Sequence, residues 1–499
     1  MSTEPLTPAV EMTASDRSTA GLNDFSDRLP PMLVKELRQG LRARTFVGVF
    51  LGLQLFLGIV MLFATMASGL DGAGEAVSRI IFLFFSLAVL VVQPLRAMNA
   101  LHAEIKTTTI DMMVLTRLNA RRIVAGKWAS IVGQTLLLFV SIVPYLILRY
   151  FFGGMNLFAE LLALGSLCLL SSCLTAFNVG LSSNAAIIVR GILPLALAVG
   201  MMIFMIFIME EFDEFLEFFA LEDTNLAIFL GLVAGAIYLA WTAFGLGVAA
   251  IAPAAENHST LNRLITLGTM AVIGVILYAA DADEDAVPFL IGAIAFPGLV
   301  LALCESNFLM PRVTLPFIRR GGLGKLLGIF LYPCWTSGVH FAALLSAIVL
   351  AIGGLVMIPS ASFRFGVEEF TVLCSLLGSA LFPAVFLALF QKRIKNRIGL
   401  YFAILIGSYA LMLALIAVAE STNVDQAMWL FCWLPPVHLY MVDDSSFPET
   451  AVLVTSLIFS SLYLGTLLIH AWANYKTIRN AEEEATLTYL TPAKEQTGA

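Results

Sequence analysis

Twelve stretches of this chain are apolar almost throughout, and each is close to the length a helix needs to cross a bilayer. They fall at 46–68, 77–96, 128–149, 158–181, 187–209 and 225–252, then at 263–280, 286–304, 333–358, 370–391, 398–419 and 450–473. About 20 helical residues cross roughly 30 Å of hydrocarbon. Within that layer no water can satisfy an open backbone, so only helices and closed barrels are available. The alternation of a barrel strand is missing from these runs, and the pattern predicts helices. Pro144, Pro194, Pro297 and Pro383 lie inside spans, where membrane helices tolerate them as kinks. Composition agrees: 59% of the 499 residues are apolar, only 13% are charged, and mean hydropathy is +0.91. The expected fold class is all-α, a polytopic membrane protein of about twelve transmembrane helices.

Charge orients the spans. With both termini in the cytoplasm, only Arg79, Arg149 and Arg364 of the 28 Lys and Arg fall outside, as the positive-inside tendency requires. Acidic residues gather on the opposite side, in EEFDEFLEFFALEDTN (Glu210 to Asn225) and DADED (Asp281 to Asp285), without the regular ligand spacing of a calcium loop. In the first of these loops Phe212, Phe215, Leu216 and Phe219 recur at helical spacing, which predicts a short amphipathic helix on the outer interface. A thirteenth apolar stretch, Ala427 to Val442, is broken by Pro435-Pro436. If it crossed, Lys476 and Arg479 would be moved outside, so it is read as a re-entrant or interfacial element.

The constellations that carry catalysis are not seen. Six dispersed cysteines lack any C-x-x-C pair, and the five histidines stand singly. GGLGK at Gly321 to Lys325 lacks the first glycine and the Ser or Thr of a phosphate loop, with Arg319 and Leu326 at those positions. The charges nearest the hydrocarbon (Arg96, Arg149, Glu160, Arg190, Glu305, Glu368) all sit at span ends. The midplane holds Gln54, Gln134, Thr175 and Asn178, suited to interhelical hydrogen bonds. An ion-coupled carrier would need titratable groups at mid-depth.

Two cytoplasmic segments exceed a connecting role. PMLVKELRQGLRARTF, from Pro31 to Phe46, is basic and amphipathic. Leu33, Val34, Leu37 and Leu41 line one face, and Lys35, Arg38, Arg42 and Arg44 can reach anionic headgroups. EIKTTTIDMMVLTRLNARRIVAGKW, from Glu104 to Trp128, offers an apolar knob of Met112, Met113, Leu115 and Leu118 flanked by Arg117, Arg121 and Arg122. That combination suits docking to a soluble protein.

Together these segments resemble the ABC transporter permeases of the type-2 exporter family. The first is similar to that family's N-terminal elbow helix, which covers Lys35, Glu36, Leu37, Arg38, Leu41, Arg42 and Arg44 here. The second follows the family pattern of Glu, a Thr-rich turn, Leu-Leu-Thr, a basic pair and Gly-Lys opening the third span. It runs through Glu104, Asp111, Met112, Met113, Leu115, Thr116, Arg117, Leu118, Arg121, Arg122, Gly126 and Lys127. Asp111-Met112-Met113 departs from the more usual Glu-Leu-Leu. The match covers about the first 150 residues, and six spans to about 252 in outline. The resemblance implies a multi-pass inner-membrane subunit that works with a separate ABC ATPase. The coupling helix of the linker would seat in a cleft of that ATPase, which would carry ATP and Mg. No catalytic residue, cofactor, metal or nucleic-acid partner is expected in this chain.

The expected organisation is a disordered tail at 1–30, an elbow helix at 31–45, six-helix units at 46–252 and 253–475, and a second disordered tail at 476–499. The second unit repeats R-R-x-x-x-G-K: Arg319, Arg320, Gly324 and Lys325 follow Glu305 in a second basic linker, and Phe317 and Ile318 could form its knob. Two readings remain open. One is a tandem duplication with a degenerate second half; the other is one permease half with six accessory helices, which would have to homodimerise. The alternatives to the exporter are an ion-coupled carrier and a membrane-embedded enzyme.

Overall fold

The computed structural model describes residues 29–66, 73–98, 100, 119–150, 156–182, 187–220, 223–252, 256–279, 286–356, 366–390, 396–422 and 425–490. Among them every regular element is helical. Helix α1 spans Pro31–Leu41 and α2 Arg44–Met66. Helix α3, Ala73–Ser86, continues through a π-helical stretch, Leu87–Val92, into Gln93–Ala97. Then come α4 (Ala120–Tyr150), α5 (Leu157–Leu181), α6 (Ile187–Glu210), α7 (Phe212–Phe218) and α8 (Asp223–Ile251). The second half holds α9 (Ser259–Ala279), α10 (Ala286–Leu303), α11 (Pro311–Ile318), α12 (Gly321–Leu331), α13 (Trp335–Val356), α14 (Val367–Leu389) and α15 (Arg397–Thr422). A 3-10 turn over Asp425–Phe431 leads to α16 (Val437–Asp443), α17 (Glu449–Ala473) and α18 (Lys476–Tyr489).

Nine helical stretches among the described residues are long and apolar enough to cross a membrane. They belong to α2, α3, α4, α5, α8, α13, α14, α15 and α17, the last running on into α18. The chain is a polytopic helical membrane protein. Helices α6, α9 and α10 occupy the other three expected positions but are not among the nine.

Between helices in lipid there is no hydrophobic gain, so close approach and interhelical hydrogen bonds must hold the bundle. Both are present. A Cβ on Gly180 of α5 would strike the Ala243 carbonyl of α8, and one on Gly378 of α14 would lie 2.6 Å from Ser460 Oγ of α17. Gln54 Nε2 donates to Ser141 Oγ (2.6 Å), and Asn178 Nδ2 to the Pro94 carbonyl (2.8 Å), as their positions in the apolar runs predict. The π-helical stretch has a local cause. The Gln93 N–H bonds back to the Ala88 carbonyl, five residues earlier. In the same register Pro94 should serve Val89, but it has no N–H. Ser171 of α5 supplies the missing donor, its hydroxyl bonding the Val89 carbonyl at 2.6 Å.

The buried residues form two main clusters. One joins α2 to α5 around Leu57, Phe82, Phe85 and Leu138; the other joins α10, α13, α14 and α17 around Trp335, Leu345, Leu377 and Leu467. Tyr238 on α8 crosses between the halves, donating to Thr266 Oγ1 on α9 (3.2 Å) and the Ile294 carbonyl on α10 (2.9 Å).

Three local expectations meet the structure. The amphipathic helix expected after Glu210 is α7, but it does not merely rest on an interface. Phe212 is buried, and Phe212 and Phe215 pack edge-on against Phe82, so α7 caps the first cluster. The stretch 427–442 is broken at Pro435-Pro436 into elements too short to cross. It is held inside by Ser375 of α14, which donates to the Pro435 carbonyl at 2.7 Å. The expectation of a disordered tail after Tyr475 is corrected: Lys476–Tyr489 is helical. Ile478 and Ala481 share one face and pack with Phe317 and Tyr332, while Tyr332 donates to Glu482 Oε1 at 2.9 Å. Residues 1–28 and 491–499 lie outside the described residues.

Candidate functional site

Of the first linker, Glu104, Asp111, Met112, Met113, Leu115, Thr116, Arg117 and Leu118 lie outside the described residues. Its end does not. Arg121, Arg122, Gly126 and Lys127 form the first turns of α4, continuous with the crossing helix. Arg121 is half-buried, Arg122 exposed, and Gly126 and Lys127 buried.

What buries them is α1. The bare Gly126 lets Met32 approach so closely that a Cβ would stand 2.8 Å from Met32 Cγ. A Cβ on Gly133 would meet Leu37 Cδ1 at 3.4 Å, and one on Gly40 would meet the Gln134 amide. Between these contacts Lys127 Nζ lies 3.4 Å from Glu36 Oε1, with only 7% and 15% of the two side chains exposed. The face that α1 turns to α4 is therefore Met32, Glu36, Leu37 and Gly40, while Leu33 and Val34 are half-buried. A helix beside a protein follows its grooves, and the glycines of α4 set where the groove lies. Lys35, Arg38, Arg42 and Arg44 are exposed, and Leu41 is half-buried. Deeper along α4, Gln134 Oε1 accepts from Arg96 Nη1 (2.6 Å), and the Arg96 guanidinium lies over the Phe46 ring, 5.6 Å from its centroid. Four helices thus meet at one end of the first half.

The second linker is built differently. Glu305, just past α10, accepts from Arg263 Nη2 of α9 at 2.6 Å, and its backbone carbonyl accepts from Arg397 of α15. Arg263 Nη1 also donates to the Phe330 carbonyl of α12 (2.6 Å), and its guanidinium lies 5.5 Å from the Phe341 ring centroid on α13. A cavity of about 20 Å³, room for one water, lies between His258, Asn262, Arg263, Thr266 and Glu305. Burial pushes the Glu305 carboxyl up to about 7 against the opposing pull of Arg263 and Ser259. Burial pushes His258 down, helped by Arg263 and by Arg121 from the first linker. Ala120, Ile123 and Val124 at the start of α4 cluster with Val248 and Ile251 of α8, and Ala249 of α8 lines the same cavity as Glu305, so the two linkers converge on the same end of the molecule.

Their shared R-R-x-x-x-G-K letters take different conformations. Arg121 to Lys127 run inside one helix. Arg319 and Arg320 are an exposed turn between α11 and α12, closed by Gly321 at φ 76°, where a side chain would be strained. Gly324 is buried beneath the Phe317 carbonyl, and Lys325 is exposed. Phe317 is buried against Tyr332, with ring centroids 5.0 Å apart, so it is core and not a docking knob.

At the other end of the bundle Arg149 and Glu160 form a buried ion pair of 2.7 Å, and Ser78 donates to both Glu160 oxygens at 3.1 Å. The sequence places both charges at span ends; only the fold shows that they meet. Arg263 and Arg397 escaped the sequence reading altogether. The available signal was a lone arginine opening an apolar run, which a membrane helix keeps only when it is paired or interfacial. Among the described residues no group of three or more His, Cys, Asp or Glu is arranged to hold a metal ion. The chain matches no family model, no curated protein and no solved structure.

Proposed function

We propose that this chain is the membrane-spanning permease subunit of an ATP-binding-cassette exporter, driven by a separate nucleotide-binding subunit. The observation that carries the reading is the seating of α1 on the first turns of α4, immediately after the linker at 104–118. Met32 fills the notch at Gly126, and Glu36 faces Lys127. A push on the linker would move the start of α4, and α1 would move with it. The short break at Arg42–Ala43 would then pass the motion to α2 as tilt. ATP and Mg belong to the partner; this chain supplies the path and the lever.

In this reading the chain crosses twelve times, with both termini in the cytoplasm of a cell whose inner membrane it occupies. The two halves are a degenerate tandem pair. In support, the fourth and sixth helices of each half approach closely at a glycine, Gly180 and Gly378. Each half also carries a short outer element between its fifth and sixth helices. The alternative is a homodimer with an accessory second half.

An ion-coupled carrier is the second reading, favoured by one observation: a carboxylate and a guanidinium, Glu160 and Arg149, are buried together, though at the end of the bundle and not at mid-depth. The deciding experiment is co-purification of the full chain with a P-loop ATPase, repeated with Met113→Asp/Leu115→Asp. The exporter reading expects the ATPase to follow the wild type and to be lost from the variant. Two apolar anchors of a docking knob contribute about 2 kcal/mol each. A solubilised chain that transports without an ATPase, driven by an ion gradient, would establish the carrier instead.

A further inference from the structure

The two amphipathic helices at the linker end of the bundle differ in what covers them. Helix α1 lays its inward face on α4. Helix α12 turns Gly324, Gly328 and Leu331 toward the protein and leaves a second face bare. On that face Leu323, Leu326 and Leu327 are 77%, 56% and 49% exposed. They stand at i, i+3 and i+4, one stripe of a helix. Lys325 is exposed on the far side, and Arg319 and Arg320 are exposed at the turn where the helix begins. Every exposed charge from Pro311 to Leu331 is basic, Arg312 included.

Three hydrogen bonds fix the depth of α12. The Trp335 N–H donates to the Ser306 carbonyl at 2.9 Å, so α13 begins level with the end of α10. The Thr260 hydroxyl donates to the Leu331 carbonyl at 2.9 Å, and Arg263 Nη1 to the Phe330 carbonyl at 2.6 Å. The first turn of α9 is therefore level with the last turn of α12. Helix α13 alone has 22 residues, about 33 Å of rise, enough to cross the hydrocarbon layer. Helix α12 is thus left at the membrane boundary, where the crossing helices enter.

We infer that α12 is a membrane-surface helix. Leu323, Leu326 and Leu327 sit in the acyl boundary, and Arg319, Arg320 and Lys325 bind anionic lipid headgroups. An apolar stripe without hydrogen-bonding groups, on a helix whose exposed charges are all cations at its start and on its opposite face, matches the layered chemistry of an anionic bilayer surface. A protein partner would have to offer an apolar groove ringed by acids. The inference rests on the membrane-embedded character of the chain alone and stands or falls independently of the exporter reading.

The test uses the full chain in vesicles of phosphatidylcholine, with and without one part in about three of phosphatidylglycerol, a composition in the range where surface potential attracts basic segments. Nitroxide labels are carried on Leu326→Cys or on Lys325→Cys, and the wild-type chain taken through the same labelling supplies the background from native cysteines. The Leu326→Cys label should be relaxed by oxygen more than by a water-soluble nickel chelate, and the Lys325→Cys label the reverse. Phosphatidylglycerol should deepen the Leu326→Cys label, and Arg319→Gln/Arg320→Gln should cancel that gain. Equal nickel access at both positions would overturn the proposal, as would a Leu326→Cys label shielded from both reagents, the sign of a protein cover. Immersion indifferent to phosphatidylglycerol and to the arginine changes would overturn headgroup binding.

Discussion

Glu36 and Lys127 face each other at 3.4 Å across the seam between α1 and α4, 91 residues apart in the chain. The pair couples an N-terminal surface helix to the base of a crossing helix. A lysine so buried is costly unless a carboxylate is near it. Glu36→Gln should therefore lower the stability of the detergent-solubilised chain by about 2 kcal/mol, the scale of a hydrogen bond to a charged group. Thermal unfolding would show it, and an unchanged midpoint would mean that the pair does not hold the seam.

The same seam can be tested by volume. Gly126→Leu places a branched side chain where even a Cβ is 2.8 Å from Met32 Cγ. Overpacking of this kind costs about 1–3 kcal/mol. Because Met32 is at the N-terminal end of α1, the helix should lift away from α4. Crosslinking between cysteines introduced at Leu37 and Gly133 should fall, and Met32→Ala should restore part of it.

Glu160→Gln leaves Arg149 buried without its carboxylate and should cost about 3 kcal/mol. Replacing both residues with apolar ones should recover much of that loss. If the pair is only a structural staple, the double variant keeps transport. If it takes part in ion coupling, the double variant folds and transports nothing.

Glu305 gives a pH signature. Burial raises its carboxyl from 4.5 to about 7. Between those values the folded chain holds a proton that the unfolded chain has released, so stability falls as pH rises through about 7. Glu305→Gln should flatten that slope. A slope of equal size in the variant would assign the effect to another group.

Reporter fusions after Gly328, Lys395 and Lys476 should read inside, and fusions after Asp223, Asp285 and Asp444 outside. An inside signal at Asp444 would restore a thirteenth crossing and reverse the charge argument for the C-terminus.

The apolar runs by themselves determined that this is a bundle of membrane helices, because a bilayer leaves a 20-residue apolar stretch almost no other choice. Local spacing was enough for α1 and α7, and the Pro435-Pro436 pair was enough to show that no continuous helix runs through 427–442. Partners across the bundle were beyond its reach. Arg149 and Glu160 read as two unrelated charges at span ends, and Arg263, Glu305 and Arg397 as scattered ones. Their meeting depends on which helices are neighbours, and that is set by close approach at glycines such as Gly180 and Gly338, not by hydropathy. Identical letters also took different roles. In R-R-x-x-x-G-K one lysine is buried against Glu36 and the other is exposed on α12, because the helix packed across the first glycine brings a carboxylate to its lysine and the helix over the second, Pro311–Ile318, has none. Residues Lys476–Tyr489 look polar enough to be a loose tail, yet they fold because Phe317 and Tyr332 offer an apolar seat to Ile478 and Ala481. That seat is made by a segment more than a hundred residues earlier, and no local window of sequence contains it.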